Sequence, residues 1–192
     1  VNSLAVLADV VTGKDAKRVV RLMLTDTDLI QATIYFRYYL NQALNKAGSG
    51  DELLNHMQVW KDQMALGLTT WAERPEPSRS DCHAWGASPI YLLGKYCLGV
   101  KPVKEGYKEF AIAPVLGGLK WMEGTVPTPN GDIHIYMNGK MMKVKATEGK
   151  GYLTINSRRP PKANIGTPEK VSEGVWRLWI DSPEERIVTY HL

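Results

Sequence analysis

The spacing of apolar residues changes once along this chain, near Gly106, and that change constrains the fold more than any other feature. Before it, apolar side chains recur every three to four residues, the repeat of one helix face. After it they alternate with polar ones, the repeat of a strand. The order is therefore α then β, with two domains predicted at 1–103 and 104–192. The boundary falls in "GVKPVKEG", where proline and charge interrupt both patterns.

In the first part, Leu4, Leu7, Ala8 and Val11 form a stripe that Gly13 ends. Asp15 is placed to cap a second helix through "AKRVVRLML". Thr27 or Asp28 would cap a long third helix with Ile30, Ile34, Leu40 and Leu44 inward and Gly48 as the stop. Asp51 would open a fourth with Leu53, Met57, Trp60 and Met64 on one face, and a fifth would run from Ser88 to Leu98, closed by Gly99. Such helices with short Gly-containing links predict antiparallel hairpins. "LIQATIYFRYYL" is apolar around most of its circumference, so it expects neighbours on several sides, and these are expected upstream of Val1. The opening "VNSLAVLADVV" has neither an initiator Met nor signal-peptide character, so the chain is expected to be a piece of a longer protein.

In the second part, "KEFAIAP", "LKWMEGTVPTP", "GDIHIYM", "MMKVKATE", "GYLTINS", "VWRLWI" and "RIVTYHL" predict an antiparallel β-sandwich of seven strands. "PNGD" and "MNGK" are turn signals, the second suited to a type I′ hairpin. The net charge of +4 comes from residues 101–192, with fourteen Lys/Arg against ten Asp/Glu; residues 1–100 carry ten of each. These lysines are scattered along strands, which serves solubility and argues against a nucleic-acid footprint. No run of eighteen apolar residues predicts a membrane span. Cys82 and Cys97 on one helix would stand about 22 Å apart, too far to pair, and are expected free and buried.

The densest chemistry lies in "TTWAERPEPSRSDCHAWGASP", residues 69–89, which sets acids, arginines and a histidine among tryptophans. Glu73 is either a solvated loop glutamate or a working carboxylate, and His83 either satisfies a neighbouring carbonyl or faces a ligand. Trp71 and Trp85 could offer apolar faces to a sugar ring, although Trp85, entering a helix, fits a core better. Arg79 could tie the loop through Asp81 or a backbone carbonyl, while Ser80 and Asp81 suit N-caps.

The order of "GLTTWAERPEPSRSDCHAWGASPIYLL" and "LGVKPVKEGYKEFAIAPVLGGLKWMEGTVPTPNGDIHI" resembles the C-terminal part of bacterial α-L-rhamnosidases, glycoside hydrolase family 78. Each short motif is weak; their sequence and spacing over residues 67–135 are more specific. The resemblance implies the closing hairpins of an (α/α)₆ barrel followed by a β-sandwich. It implies an inverting glycosidase that releases terminal α-L-rhamnose from rhamnosides, with Glu73 as general base and His83 near the sugar; Trp71 and Arg79 join them as candidate substrate-binding residues. Many family members place the acid directly after the tryptophan, whereas Ala72 intervenes here, which leaves Glu76 and Asp81 as secondary candidates. The general acid belongs to an upstream motif that this chain does not match, so the fragment alone is expected to be inactive. It is also expected to self-associate or to pair with the missing part of the barrel.

No metal and no cofactor are expected, since Asp81, Cys82 and His83 are adjacent and cannot converge on one ion, and neither HExxH nor GxGxxG occurs. The compartment is left open. An alternative is a non-catalytic carbohydrate-binding or structural sandwich in which Trp176 and Trp179 serve as a platform, although i and i+3 on a strand face opposite ways. Another six-hairpin glycosidase, acting on glucuronides, would share the hairpins but not the "VPTPNGDI" stretch.

Overall fold

A computed structural model describes residues 1–74, 77 and 79–192. The chain separates into two compact units, Val1–Leu92 and Leu93–Leu192.

In the first unit, helices α1 (Asn2–Leu7), α2 (Gly13–Thr25) and α3 (Arg37–Lys46) enclose a small core. Val6, Ala16, Val20, Leu40, Ala43 and Leu44 are buried there, with Leu7, Val11 and Met23 packed around them. Asp15 lies in the first turn of α2, where its charge suits the helix dipole; the N-cap is Thr12, without a side-chain cap bond. At the end of α1 the chain turns through Asp9 at φ 58°, a conformation Asp tolerates better than most residues. Lys46 fixes this turn, donating to the Leu7 carbonyl at 2.7 Å and pairing with the Asp9 carboxylate at 2.7 Å.

The third helix begins at Arg37, not near Asp28. Asp26 accepts the Asp28 N–H at 3.0 Å, and the Thr33 hydroxyl accepts the Phe36 N–H at 3.3 Å. These side-chain turns give the backbone an alternative to helix. Ile34, Leu40 and Leu44 are buried as expected, but Ile30 is fully exposed. The fourth segment consists of 3₁₀ turns Gly50–Leu53 and Asn55–Met57 before α4 (Gln58–Ala65), and Ser49 takes the N-cap position that Asp51 was expected to fill. Leu53, Met57 and Trp60 point inward, but the tighter turns shift the phase and leave Met64 exposed. The fifth helix stops early: α5 (Ser88–Leu92) is followed by a π turn, Leu93–Cys97, at the start of the second unit.

Ten strands among the described residues form the two sheets of the second unit. They are β1 (Val100–Pro102), β2 (Glu109–Ile112), β3 (Trp121–Thr128), β4 (Gly131–Asn138), β5 (Met141–Ala146), β6 (Lys150–Asn156), β7 (Lys162–Ala163), β8 (Glu169–Ser172), β9 (Val175–Ile180) and β10 (Arg186–Thr189). One sheet has the order β1-β2-β6-β9-β8 and the other β3-β4-β5-β10-β7. The seven expected segments all form strands; β1, β7 and β8 are additional. Strand β1 occupies the stretch taken for a boundary, and Pro102 is tolerated there because β1 is an edge. The pairing is antiparallel except between β2 and β6. In that parallel register Gly151 lies opposite Phe110, and a Cβ at Gly151 would meet the Phe110 ring at 2.2 Å. Alternation buries Ile133 and Ile135 of β4, Val144 of β5, Leu153 and Ile155 of β6, and Leu178 and Ile180 of β9.

The "MNGK" turn is not type I′, because neither Gly139 nor Lys140 has a positive φ. Instead the Asn138 side chain accepts the N–H groups of Lys140 and Met141, each at 2.9 Å. Cys97 is buried, but Cys82 is exposed, because it sits on the loop before the helical entry. Both are free.

Candidate functional site

Residues 70–73 run beside residues 80–83. The Glu73 N–H donates to the Ser80 carbonyl at 2.9 Å and the His83 N–H to the Trp71 carbonyl at 2.7 Å. Thr70 adds a hydroxyl bond to the Asp81 carbonyl at 2.5 Å. This short ladder brings Glu73, separated from Arg79 and His83 by the loop, onto one local frame.

Two side chains of α4 hold that frame from beneath. Trp60, 3% exposed, donates its indole N–H to the Gly86 carbonyl at 2.7 Å. Gln63, 4% exposed, accepts the Ala72 N–H at 2.8 Å. The spacing i and i+3 sets both on one helix face, and they fix the residue before Glu73 and the turn after His83. Gly86 is required for this approach, since a Cβ there would lie 2.8 Å from the Trp71 Cβ.

The Glu73 carboxylate forms a bidentate pair with Arg79: Oε2 accepts Nε–H at 2.9 Å and Oε1 accepts Nη2–H. Its side chain is 22% exposed and that of Arg79 is 71% exposed. Hydrogen bonding to Arg79 holds the Glu73 carboxyl below the usual carboxylate range, against a smaller opposing effect of burial. The charges of Arg79, His83 and Arg74 act in the same direction as that bond. The group is thus an anion at neutral pH. Each oxygen has two lone-pair directions and Arg79 takes one of each, so a water can still be oriented on the other. Arg79 bonds to Glu73, where the sequence suggested Asp81 or a backbone carbonyl.

His83 is half-buried, with its ring edge-on to Trp85 at 5.7 Å. Trp85 is not a core residue: it is 63% exposed and lies against Tyr35 with ring centroids 4.7 Å apart. The 3₁₀ turn Ala84–Gly86 turns its ring outward while Gly86 goes inward. Tyr35 in turn meets Tyr39, and Tyr38 meets Tyr91. Sequence reasoning assigned "IYFRYYL" to a core helix and missed this aromatic surface; the three tyrosines, each carrying a polar hydroxyl, were its one signal. Trp71 is half-buried. Glu76 lies outside the described residues. Two cavities of this unit, about 460 and 550 Å³, are lined by other segments and do not include Glu73 or His83. Among the described residues no three His, Cys, Asp or Glu side chains converge as a metal site, and no helix is long and apolar enough to cross a membrane.

The chain thus has short helices followed by a two-sheet β unit, with the Glu73 carboxylate on the loop before the last helix. Comparison with known proteins finds this fold in α-L-rhamnosidases. Residues 99–147 match the bacterial α-L-rhamnosidase C-terminal domain. The fold is similar to that of the α-L-rhamnosidase of Streptomyces avermitilis, solved with L-rhamnose, at 17% identity and a TM-score of 0.79, covering 97% of this chain and 21% of that one. The Dictyoglumus thermophilum α-L-rhamnosidase gives 16% identity and a TM-score of 0.80 over 100% of this chain and 25% of that one. A family 78 rhamnosidase of Bacillus sp. GL1 is 28% identical, with a TM-score of 0.63, over 74% of this chain and 16% of that one. The chain thus resembles the C-terminal portion of family 78 α-L-rhamnosidases and spans about a quarter or less of their length. No curated protein sequence matches it.

Proposed function

We propose that this chain is the C-terminal segment of an inverting glycoside hydrolase that releases terminal α-L-rhamnose from rhamnosides, and that Glu73 is its general base. Residues 1–103 would supply closing hairpins of an (α/α)₆ barrel and residues 104–192 the sandwich that follows. The observation that carries this reading is the anchored carboxylate: Glu73 is kept ionised by Arg79, on a backbone fixed by Trp60 and Gln63, within electrostatic reach of His83.

In an inverting hydrolysis, one carboxylate removes a proton from water attacking the anomeric carbon, while an acid about 6.5–9.5 Å away protonates the departing oxygen. Glu73 suits the first task. Arg79 acts as a positioning residue that aims the carboxylate and maintains its charge, and on release to the sugar could donate to a hydroxyl. His83 supplies a hydrogen bond to the sugar, and Trp71 an apolar wall for its ring and methyl group. The acid is proposed to lie on another segment, so the 192-residue chain alone should not turn over a rhamnoside. General acid catalysis contributes typically about 10²–10⁴-fold. Pairing with the remainder of the barrel, or self-association, would cover the exposed Ile30, Ile90 and Trp85.

The test is Glu73→Gln and His83→Ala in the complete enzyme, assayed on an aryl α-L-rhamnoside. Loss of a base predicts a fall in kcat of about 10²-fold or more for Glu73→Gln with KM little changed. His83→Ala is expected to act mainly through KM. Unchanged turnover by Glu73→Gln, or turnover by the isolated chain, contradicts the reading.

A further inference from the structure

The outer face of the sheet β1-β2-β6-β9-β8 carries an arrangement that rhamnoside hydrolysis does not use. Strand alternation sends Leu178 and Ile180 into the core, each 1% exposed, and sets Trp179 on the opposite face at 49% exposure. Trp176 lies on the core side and donates its indole N–H to the Ser157 carbonyl at 3.1 Å, so the two tryptophans of "VWRLWI" do not form a joint platform. The partner of Trp179 comes from the neighbouring strand. Tyr152 is its direct cross-strand neighbour, and their rings meet at 5.7 Å and 72°, forming an open corner. On the far side of Tyr152 the register places Ala111.

Arg177 fixes this corner. Its guanidinium stands 4.6 Å from the Tyr152 centroid and 5.7 Å from that of Trp179, a cation–π arrangement that holds both rings and presents a planar fork of donors. A hollow of about 290 Å³ opens against Trp179 and Tyr152, with Glu109, Lys150 and Asp181 among its lining residues. That volume lies just below the range of ligand pockets, about 300–1,000 Å³, and suits a single small ring. The exposed Trp121 differs, since its ring is stacked on Tyr136 at 6.4 Å and 22°.

We propose that this corner is a second, non-catalytic carbohydrate site, which binds one pyranose ring of a glycan. The apolar C–H face of the sugar lies on Trp179 and its hydroxyls meet Arg177 and the mixed rim. One feature favours a sugar over a docked protein segment. The aromatic corner is sized for one ring, whereas a docked protein segment would need a larger apolar area. The inference rests on the proposed glycosidase reading only for the choice of rhamnoside as a probe.

The test uses the 192-residue chain. Indole N–H signals of its six tryptophans, assigned by single Trp→Phe substitutions, are followed by NMR during titration with methyl α-L-rhamnopyranoside and, separately, methyl α-D-glucopyranoside. A saturable shift of the Trp179 signal is expected, with a dissociation constant on the order of 1 mM. Trp179→Ala should weaken binding by about tenfold or more, and Arg177→Ala less; Trp121→Ala should leave it within about twofold. Should Trp179→Ala fail to fold by circular dichroism, the wild-type titration decides. A response to the glucoside alone still supports the site and severs its link to rhamnosides. Failure of both sugars to shift Trp179, or a shift that follows protein concentration instead of sugar, overturns the proposal. Glu73→Gln leaves this titration unchanged, so failure here and failure of the base assignment are separate results.

Discussion

Among the described residues, six buried side-chain polar atoms have no hydrogen-bond partner in the chain, and five of them lie in Val1–Leu92. They are Arg37 Nε, both amide atoms of Asn41, Gln63 Nε2 and Ser88 Oγ; the β unit has only Arg186 Nε. The difference matters because an unpaired buried polar group costs about 1–3 kcal/mol. In the β unit, strand ladders join each sheet and even the buried Arg186 donates to Asp181, Ser182 and the Glu184 carbonyl. The helical unit keeps a small three-helix core and leaves Ile30, Trp85 and Ile90 in water. One half is organised for its own stability; the other commits two buried side-chain hydrogen bonds, from Trp60 and Gln63, to a surface loop that carries a carboxylate.

The contrast can be broken by substitution. Leu153→Ala, in the fully buried row of β6, is expected to cost about 2–5 kcal/mol in denaturant unfolding, whereas Ile30→Ala should stay within about 0.5 kcal/mol. Comparable losses at both positions would mean that the helical unit is as well packed as the sheets. Next in size is Gln63→Leu, which strands the Ala72 N–H but also removes the unpartnered Gln63 Nε2, so a net loss of about 1 kcal/mol or less is expected. Its specific sign is faster hydrogen exchange at Ala72, and an unchanged rate there would remove α4 from the account of the site.

Asn41→Leu should run the other way. With no exposure and no partner for either amide atom, its replacement by an apolar residue of similar size is expected to be neutral or to stabilise by about 1 kcal/mol. A loss of stability would show that Asn41 is bonded in solution. The smallest effect concerns pH. Because Arg79 depresses the Glu73 carboxyl, their pairing contributes stability above the ordinary glutamate pKa, and that contribution fades as pH falls through the lower folded-state value. Arg79→Ala should therefore return the Glu73 titration, followed by carboxyl NMR, toward the ordinary value of about 4.3. No change would mean that the pair does not persist in solution.

Much of the β unit was legible because alternation is a local signal: "GDIHIYM" and "GYLTINS" could bury one face in only one way. Strand β1 escaped notice because three residues ending in proline carry no period. In the helical half, Leu40, Leu44, Leu53 and Trp60 were readable from spacing, but residues 28–36 were not. There Asp26 and Thr33 side chains compete locally with helix, and periodicity does not register that competition. Within the site, the sequence marked Glu73, Arg79 and His83 as neighbours in a loop. It could not show that Arg79 bonds to Glu73, that Trp85 faces outward, or that Gln63 anchors Ala72, because each depends on how the chain returns on itself.

The central claim concerns Glu73 acting on water, and chemical rescue tests it most directly. In the complete enzyme carrying Glu73→Gln, azide can replace the activated water without needing a base. The account predicts that azide restores consumption of an aryl α-L-rhamnoside and that the product is the β-rhamnosyl azide, formed by attack from the face opposite the leaving group. Full activity without azide, or an α-configured azide, would contradict it.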